Sequence, residues 1–138
     1  MNDTTPELCK RWLQAGAFYT FSRSHNEISV QVEQDPGVWA ENGHPEVTDA
    51  ARNALNVRYK LLPYLYTLFY RSHVFGDMVT RSLAFEYPTD KIALDVHEQF
   101  MWGSSMIISP FLYPVIINIL NIKVGINISF LIIRIKQK

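Results

Sequence analysis

The sequence predicts an α/β fold in its first half and β-structure in its second half, and three observations support this. An amphipathic helical pattern leads directly into a short apolar segment, which is the order of elements in a repeat of an α/β barrel. A second and much longer helical pattern follows after a polar stretch. Beyond Gly76-Asp77 the pattern changes to short apolar segments separated by turn residues, which is typical of antiparallel strands.

The first helix is indicated at both of its ends. Thr4 or Thr5 can cap its N-terminus, Pro6 suits its first turn, and Gly16 ends it. Its apolar residues recur at helical spacing and should share one face. These residues are Leu8, Cys9, Trp12, Leu13 and Gly16. Residues 17–21 are then predicted to form a short buried strand.

A cluster of polar residues follows the predicted strand. Arg23, Ser24, His25 and Asn26 stand next to one another in the chain. Barrel folds hold their binding and catalytic residues at the carboxyl ends of their strands, so this cluster is the candidate functional site.

A polar loop is predicted over residues 27–46, between the cluster and the second helix. Turn residues at 35–37 and at 42–43 support it, and Trp39 is expected to anchor it. A loop of about twenty residues is long for a compact domain, which favours a functional role.

The second helix is predicted from about Thr48 to His73. Pro63 should kink it, because proline has no backbone N–H to donate and its ring crowds the preceding turn. The helix is rich in aromatic residues, which could form a platform for sugars, although their helical spacing favours packing in a core. The aromatic residues are Tyr59, Tyr64, Tyr66, Phe69 and Tyr70.

Short strands are predicted at residues 78–85, 98–102 and 105–112. Turns are expected at 88–90 and at 103–104, where proline, aspartate and glycine occur.

Residues 115–138 differ in character, being rich in isoleucine, asparagine and lysine. Residues 122–130 alternate between apolar and polar, which predicts a strand. A transmembrane helix is the competing interpretation. Lys123 alone would cost about 2.5–3.5 kcal/mol near a bilayer centre, against about 0.3–0.6 kcal/mol gained per isoleucine or leucine. The strand is therefore favoured, and membrane association of this tail is the weaker alternative.

Charge and composition argue against several functions. The 13 basic and 13 acidic residues cancel, and no basic run is interleaved with aromatic residues, so nucleic-acid binding is not expected. The single cysteine, Cys9, cannot form an internal disulfide. The four histidines (His25, His44, His73 and His97) lack the spacing of metal ligands, so no metal site is expected. No basic and apolar run marks a signal peptide, which leaves the compartment open.

Several blocks of the sequence, in the same order, resemble glycoside hydrolase family 31, the α-glucosidases of the intestinal maltase type. The resemblance extends from about residue 4 to residue 112. The matching blocks are Glu-Leu-Cys at 7–9 with Trp12, Gly-Ala-Phe-Tyr at 16–19, Phe-Ser-Arg at 21–23, His-Asn at 25–26, Arg-Tyr at 58–59, Leu-Leu-Pro-Tyr-Leu-Tyr-Thr-Leu at 61–68, Gln-Phe at 99–100, Trp-Gly at 102–103 and Ile-Ser-Pro at 108–110.

The resemblance implies an incomplete fold. Residues 1–75 would be the C-terminal part of a (β/α)8 TIM barrel, with its helix, strand and long kinked helix. Residues 76–114 would start a β-sandwich domain, and residues 115–138 would be a divergent tail. Enzymes of this family release terminal α-linked glucose from maltose-type oligosaccharides with retention, and the resemblance implies no cofactor. Enzymes of this type are extracellular, tethered to a membrane or lysosomal.

The resemblance also implies roles for two residues. The position of His25 hydrogen-bonds sugar hydroxyls, and a neutral imidazole offers one donor and one acceptor for them. Arg23 would support an active-site carboxylate by keeping it charged.

No catalytic residue is assigned in this chain. Retaining hydrolysis needs two carboxylates about 5–5.5 Å apart, and in the family both are aspartates on strands upstream of the residues present. Glu27, Glu33 and Asp35 follow His25, but a loop would not fix their spacing. The chain alone is expected to be inactive. The alternative function is that of a short, non-catalytic form acting as an interaction protein or a membrane-associated protein.

Overall fold

A computed structural model describes residues 4–25 and 34–110 and the backbone of residues 130–134. In chain order its elements are α1 (Pro6–Gly16), α2 (Pro36–Glu41), α3 (Pro45–Phe75), β1 (Thr80–Arg81), α4 (Leu83–Glu86), α5 (Lys91–Asp95), β2 (Phe100–Trp102), β3 (Met106–Pro110) and β4 (Phe130–Arg134). The chain divides into two compact units, Met1–Leu62 and Pro63–Lys138.

Helix α1 confirms the predicted first helix. The Thr5 side chain caps it by accepting a hydrogen bond from the backbone N–H of Leu8 at 3.2 Å, and Pro6 occupies the first turn. The predicted apolar face is only partly covered. Cys9 is buried, whereas the indole of Trp12 is 61% exposed.

The predicted strand at residues 17–21 is wrong, because these residues form consecutive turns. The amide of Phe18 donates to Ala15 at 3.0 Å, and the amide of Tyr19 donates to Gly16 at 3.1 Å. A strand needs a neighbouring strand to accept its hydrogen bonds. Within residues 4–25 and 34–62 no strand is present to serve as that neighbour.

The core of the first unit is built around Trp39. Its side chain is buried with Cys9 and Val47, and Leu13 packs against this cluster. Trp39 therefore anchors its segment as predicted, but it does so from a helix. Asp35 caps α2 by accepting from the amide of Gly37 at 2.7 Å, so the predicted loop is wrong over residues 36–41. The predicted turn at 42–43 is confirmed, with Gly43 at a φ of 86°.

Helix α3 is longer than predicted and runs over 31 residues, with Pro63 inside it. The hydroxyl of Thr67 donates to the carbonyl of Pro63 at 2.9 Å. The kink at Pro63 stays a prediction. Packing in a core was the favoured interpretation of the aromatic residues, and it is wrong for the exposed ones. These are Tyr59, Tyr66, Phe69 and Tyr70.

The second unit contains a four-stranded antiparallel sheet in the order β1-β2-β3-β4. Trp102 lies opposite Thr80 in β1, and Phe100 lies opposite Ile108 in β3. Strands β2 and β3 confirm two of the predicted strands. The third prediction holds at residues 80–81 only, because Ser82 caps helix α4 by accepting from the amide of Phe85.

Helix α5 was not predicted. Asp90 caps it by accepting from the amides of Ile92 and Ala93. Ala93 is buried in a cluster with Leu83 and Met101, so the two short helices cover β2. Burial of their apolar side chains stabilises both helices, since so few residues would not form a helix alone.

Gly103 occupies the turn between β2 and β3 in a conformation that favours glycine. Its φ is 56°, and its amide donates to the carbonyl of Val79 at 2.9 Å. A Cβ atom at this position would lie 2.6 Å from Cδ2 of Leu68 and 2.9 Å from the hydroxyl oxygen of Tyr64. That hydroxyl donates to the carbonyl of Trp102 at 2.8 Å. The turn is therefore held close to α3 within the second unit.

Of the strand predicted at residues 122–130, the structure describes only residue 130. Strand β4 pairs with β3, with Phe130 opposite Pro110 and Ile132 opposite Ile108. The rest of the predicted strand at 122–130 lies outside the described residues, as does most of the competing transmembrane segment. Among the helices described, none is long and apolar enough to cross a membrane.

Candidate functional site

A cavity of about 650 Å³ lies in the first unit and is lined by the predicted polar cluster. One wall is apolar and comes from α1 and α3, including Trp12, Leu13 and Leu55. The polar part of the lining consists of Ser22, Arg23, Ser24, His25 and Gln34. The cavity thus places hydrogen-bonding groups next to aromatic and aliphatic side chains, which is the composition of many small-molecule sites.

Arg23 and His25 contact each other at the edge of this cavity. Nη2 of Arg23 lies 3.3 Å from Nε2 of His25, and both side chains are exposed. A guanidinium can only donate, so this contact is a hydrogen bond in the tautomer that carries the ring proton on Nδ1. In that tautomer the pair offers a donating Nδ1–H beside the positive charge of the guanidinium.

Two further hydrogen bonds tie this segment to its surroundings. The Ser24 hydroxyl donates to the carbonyl of Gln34 at 3.5 Å. The Gln34 side-chain amide donates in turn to the Thr4 hydroxyl at 3.5 Å. The segment carrying His25 is thereby linked to the residues that precede α2 and α1. Asn26 lies outside the described residues.

Arg58 of α3 is a residue that sequence reasoning did not single out. Its Nη1 donates to the backbone carbonyls of Ala17 and Tyr19, both at 2.6 Å. These contacts join positions 39 and 41 residues apart in the chain. The only signal in the sequence was the Arg-Tyr block at 58–59, which indicated a family and no role.

The lining of the cavity, as far as the structure describes it, contains no aspartate or glutamate. Of the carboxylates that follow His25 in the sequence, Asp35 is engaged in capping α2, whereas Glu27 and Glu33 lie outside the described ranges. The described lining can therefore bind hydroxyl groups, but it does not supply the pair of carboxylates that glycoside hydrolysis requires.

Cys9 also lines the cavity and is a buried free thiol. Burial raises the pKa of this thiol, which keeps it protonated and poorly nucleophilic. Within the described ranges there is no group of three or more potential metal ligands.

Two family models match the chain over consecutive ranges. The model of the glycosyl hydrolases family 31 TIM-barrel domain matches residues 1–68, and the model of the glycosyl hydrolase family 31 C-terminal domain matches residues 76–119.

Curated proteins of similar sequence are large α-glucosidases. Intestinal sucrase-isomaltase of Rattus norvegicus is 45% identical over 85% of this chain, which spans 6% of that relative. Lysosomal alpha-glucosidase of Mus musculus is 46% identical over 83% of the chain, and the chain spans 11% of it. Probable maltase-glucoamylase 2 of Homo sapiens is 46% identical over 81% of the chain, which spans 4% of that protein.

Solved structures with the same fold include two bacterial enzymes. A Family 31 alpha-glucosidase from Bacteroides thetaiotaomicron superposes with a TM-score of 0.71 at 32% identity, covering 82% of this chain and 18% of its own. A dextranase from Flavobacterium johnsoniae, solved in complex with glucose, gives a TM-score of 0.68 at 32% identity over 82% of this chain and 13% of its own.

Proposed function

Because the chain belongs to glycoside hydrolase family 31, we propose that its cavity forms part of an α-glucoside binding site. The named relatives include intestinal and lysosomal α-glucosidases, and relatives have been crystallised with glucose and isomaltotriose. The partner of this site is accordingly an α-linked glucose oligosaccharide. The chain spans only 4–11% of the three curated relatives, so the hydrolysis that they perform is itself a proposal here.

The observation that supports this proposal is the position of His25 on the cavity wall, in contact with Arg23. In the tautomer that this contact favours, Nδ1–H of His25 can donate to a sugar hydroxyl. The guanidinium of Arg23 has further N–H groups that can hold either a hydroxyl or the carboxylate that the family resemblance places beside it. Trp12 and Phe21, which also line the cavity, offer aromatic faces for the apolar side of a glucose ring.

Titration of the chain with glucose tests this role of His25. We expect binding with a Kd on the order of 1–10 mM, seen as a shift of the His25 imidazole signals in NMR spectra. His25→Ala should weaken binding about tenfold, because one or two hydrogen bonds are each worth about 0.5–1.5 kcal/mol. His97→Ala removes an exposed histidine of the second unit and is the matched control. Equal affinities in His25→Ala and His97→Ala would contradict the assignment.

We also expect the chain by itself to release no glucose from maltose. Its described cavity lining has no carboxylate, and enzymic acceleration requires about 8 kcal/mol or more of transition-state stabilisation. A coupled glucose assay at high chain concentration measures this directly. Turnover that is retained on repurification and abolished by Glu27→Gln or Glu33→Gln would overturn this expectation and assign the acid or base to the 27–46 segment.

A second candidate function is association with a protein partner. The exposed aromatic residues of α3 favour it, since Tyr66 is 79% and Tyr59 is 70% exposed. Light scattering over a concentration series separates this function from sugar binding, because glucose should not change an association through Tyr66, which is not part of the described cavity lining.

A further inference from the structure

We propose that Arg58 is a positioning residue that sets the placement of Arg23 and His25 through the turn at residues 17–19. This inference rests on the proposed sugar-binding function of the cavity. The contacts of Arg58 described above are with the backbone of Ala17 and Tyr19, two residues of the cavity lining that precede Arg23 and His25 in the chain. Arg58 acts on the backbone from which the Arg23-His25 segment leaves.

The contact geometry is that of a clamp on two peptide groups. One nitrogen of the guanidinium, Nη1, donates to the carbonyl of Ala17 and to the carbonyl of Tyr19, both at 2.6 Å. Nη1 carries two hydrogens, so it can serve both carbonyls at once. Charge-assisted bonds of this length are the strong class of hydrogen bond. Two peptide planes on either side of Phe18 are therefore oriented by one side chain.

The turn needs such a clamp because a β-ladder does not hold it. Its amides of Phe18 and Tyr19 bond back to Ala15 and Gly16 at the end of α1. Its carbonyls at 17 and 19 point the other way, toward α3, where Arg58 is the donor. These carbonyls also lie at the negative end of the α1 dipole, where a cation is favoured.

Only three residues separate Tyr19 from Arg23. A rotation of the Tyr19 peptide would therefore change the direction of a short segment, and each residue of that segment advances about 3.3–3.6 Å at most. Burial fixes the position of the Phe18 side chain. It does not by itself fix the orientation of the two peptide planes on either side of Phe18. The hydrogen bonds from Arg58 to the carbonyls of Ala17 and Tyr19 supply that orientation. Arg58 therefore acts on the position of His25 through the backbone.

Variants of Arg58 separate positioning from a merely structural role. Arg58→Met keeps the aliphatic stem and removes the donors, and Arg58→Lys keeps the charge with a side chain one atom shorter. Arg52→Met is the matched control, because Arg52 lies on the same helix, is exposed and pairs with Asp49 at 2.7 Å. The readouts are the carbonyl carbon shifts of residues 17 and 19, the imidazole signals of His25 without sugar, and the affinity for glucose.

In Arg58→Met we expect the carbonyl and His25 signals to move together and the glucose affinity to fall about tenfold, with the helical circular dichroism retained. Arg58→Lys should restore part of each change, and Arg52→Met should leave all three readouts at the wild-type values. If Arg58→Met does not fold, Arg58→Gln takes its place, because glutamine keeps an uncharged amide donor on a shorter stem.

Two outcomes would overturn the proposal. One is a folded Arg58→Met or Arg58→Gln variant whose carbonyl signals move while the His25 signals stay at their wild-type positions. The other is such a variant whose carbonyl signals do not move at all. If wild-type chain fails to bind glucose, the proposed function fails, and the sugar-free signals of His25 still decide the role of Arg58.

Discussion

Phe18→Ala is expected to destabilise the first unit by about 3–5 kcal/mol, the usual range for removing a buried phenylalanine side chain. Phe18 is 1% exposed and stands at the centre of the turn that precedes the candidate site. Its loss leaves a cavity and removes the apolar contacts that hold this turn against the unit. Urea unfolding followed by the indole N–H NMR signal of the buried Trp39 measures the change, because Trp39 belongs to the same unit.

Phe21→Ala is the matched control for this experiment. Phe21 lies three residues further along the chain and is 77% exposed, so its truncation should change the free energy of unfolding by less than about 0.5 kcal/mol. A Phe18→Ala variant as stable as Phe21→Ala would mean that the turn is not packed in solution as the structure has it. The proposed positions of Arg23 and His25 would then lose their support.

Gly103→Ala is expected to destabilise the second unit by about 2–5 kcal/mol. A left-handed backbone conformation costs a residue with a Cβ atom about 1–2 kcal/mol, and the φ of Gly103 is 56°. The new methyl group would also meet Leu68 at 2.6 Å and Tyr64 at 2.9 Å, and such overpacking adds about 1–3 kcal/mol. The indole N–H NMR signal of the buried Trp102 during urea unfolding reports on this unit.

Gly76→Ala isolates the backbone component of that effect. Gly76 belongs to the same unit and has a φ of 74°, but a Cβ atom there would meet nothing within 4 Å. Its substitution should cost only about 1–2 kcal/mol. If both glycine variants lose the same stability, Leu68 and Tyr64 accommodate the methyl group at no cost, and the close approach of the turn to α3 does not contribute.

The elements that were predicted correctly are those whose ends are marked by capping or turn residues close in sequence. The Thr5 cap and Gly16 placed α1, and turn residues on both sides placed β2 and β3. Short helices were missed because the same residues signal two structures. Asp35-Pro36 suits a turn and also the start of α2, and periodicity cannot be read from a helix of 6 residues.

The incorrect prediction of a strand at residues 17–21 shows what a run of apolar residues can and cannot predict. An apolar run shows that a segment is buried, and Phe18 is buried. It does not show what the segment pairs with, because strand partners are set by contacts distant in sequence. For the same reason the aromatic residues of α3 were expected in a core, although four of them are exposed among the described residues.

The candidate site was predictable where it is local. Arg23 and His25 are two positions apart, and the structure brings them into contact. Matching sequence blocks also predicted the family and the fold class, and the two family models confirm both. The roles of Arg23 and His25 in sugar binding remain proposals, and the domain boundary at residues 75–77 remains a prediction. The Arg58 contacts could not be foreseen, because they depend on tertiary structure.

The burial of Cys9 provides this molecule with a built-in probe of its own opening. It is the single cysteine of the chain and packs with Trp39 and Val47, in contacts that join α1 to α2 and α3. Cys9 is only 6% exposed, so separation of those helices should speed its reaction with a thiol reagent, and a change in the modification rate reports on that opening. Because Cys9 also lines the cavity, the same reaction would show whether a bound sugar protects the thiol, without any engineered label.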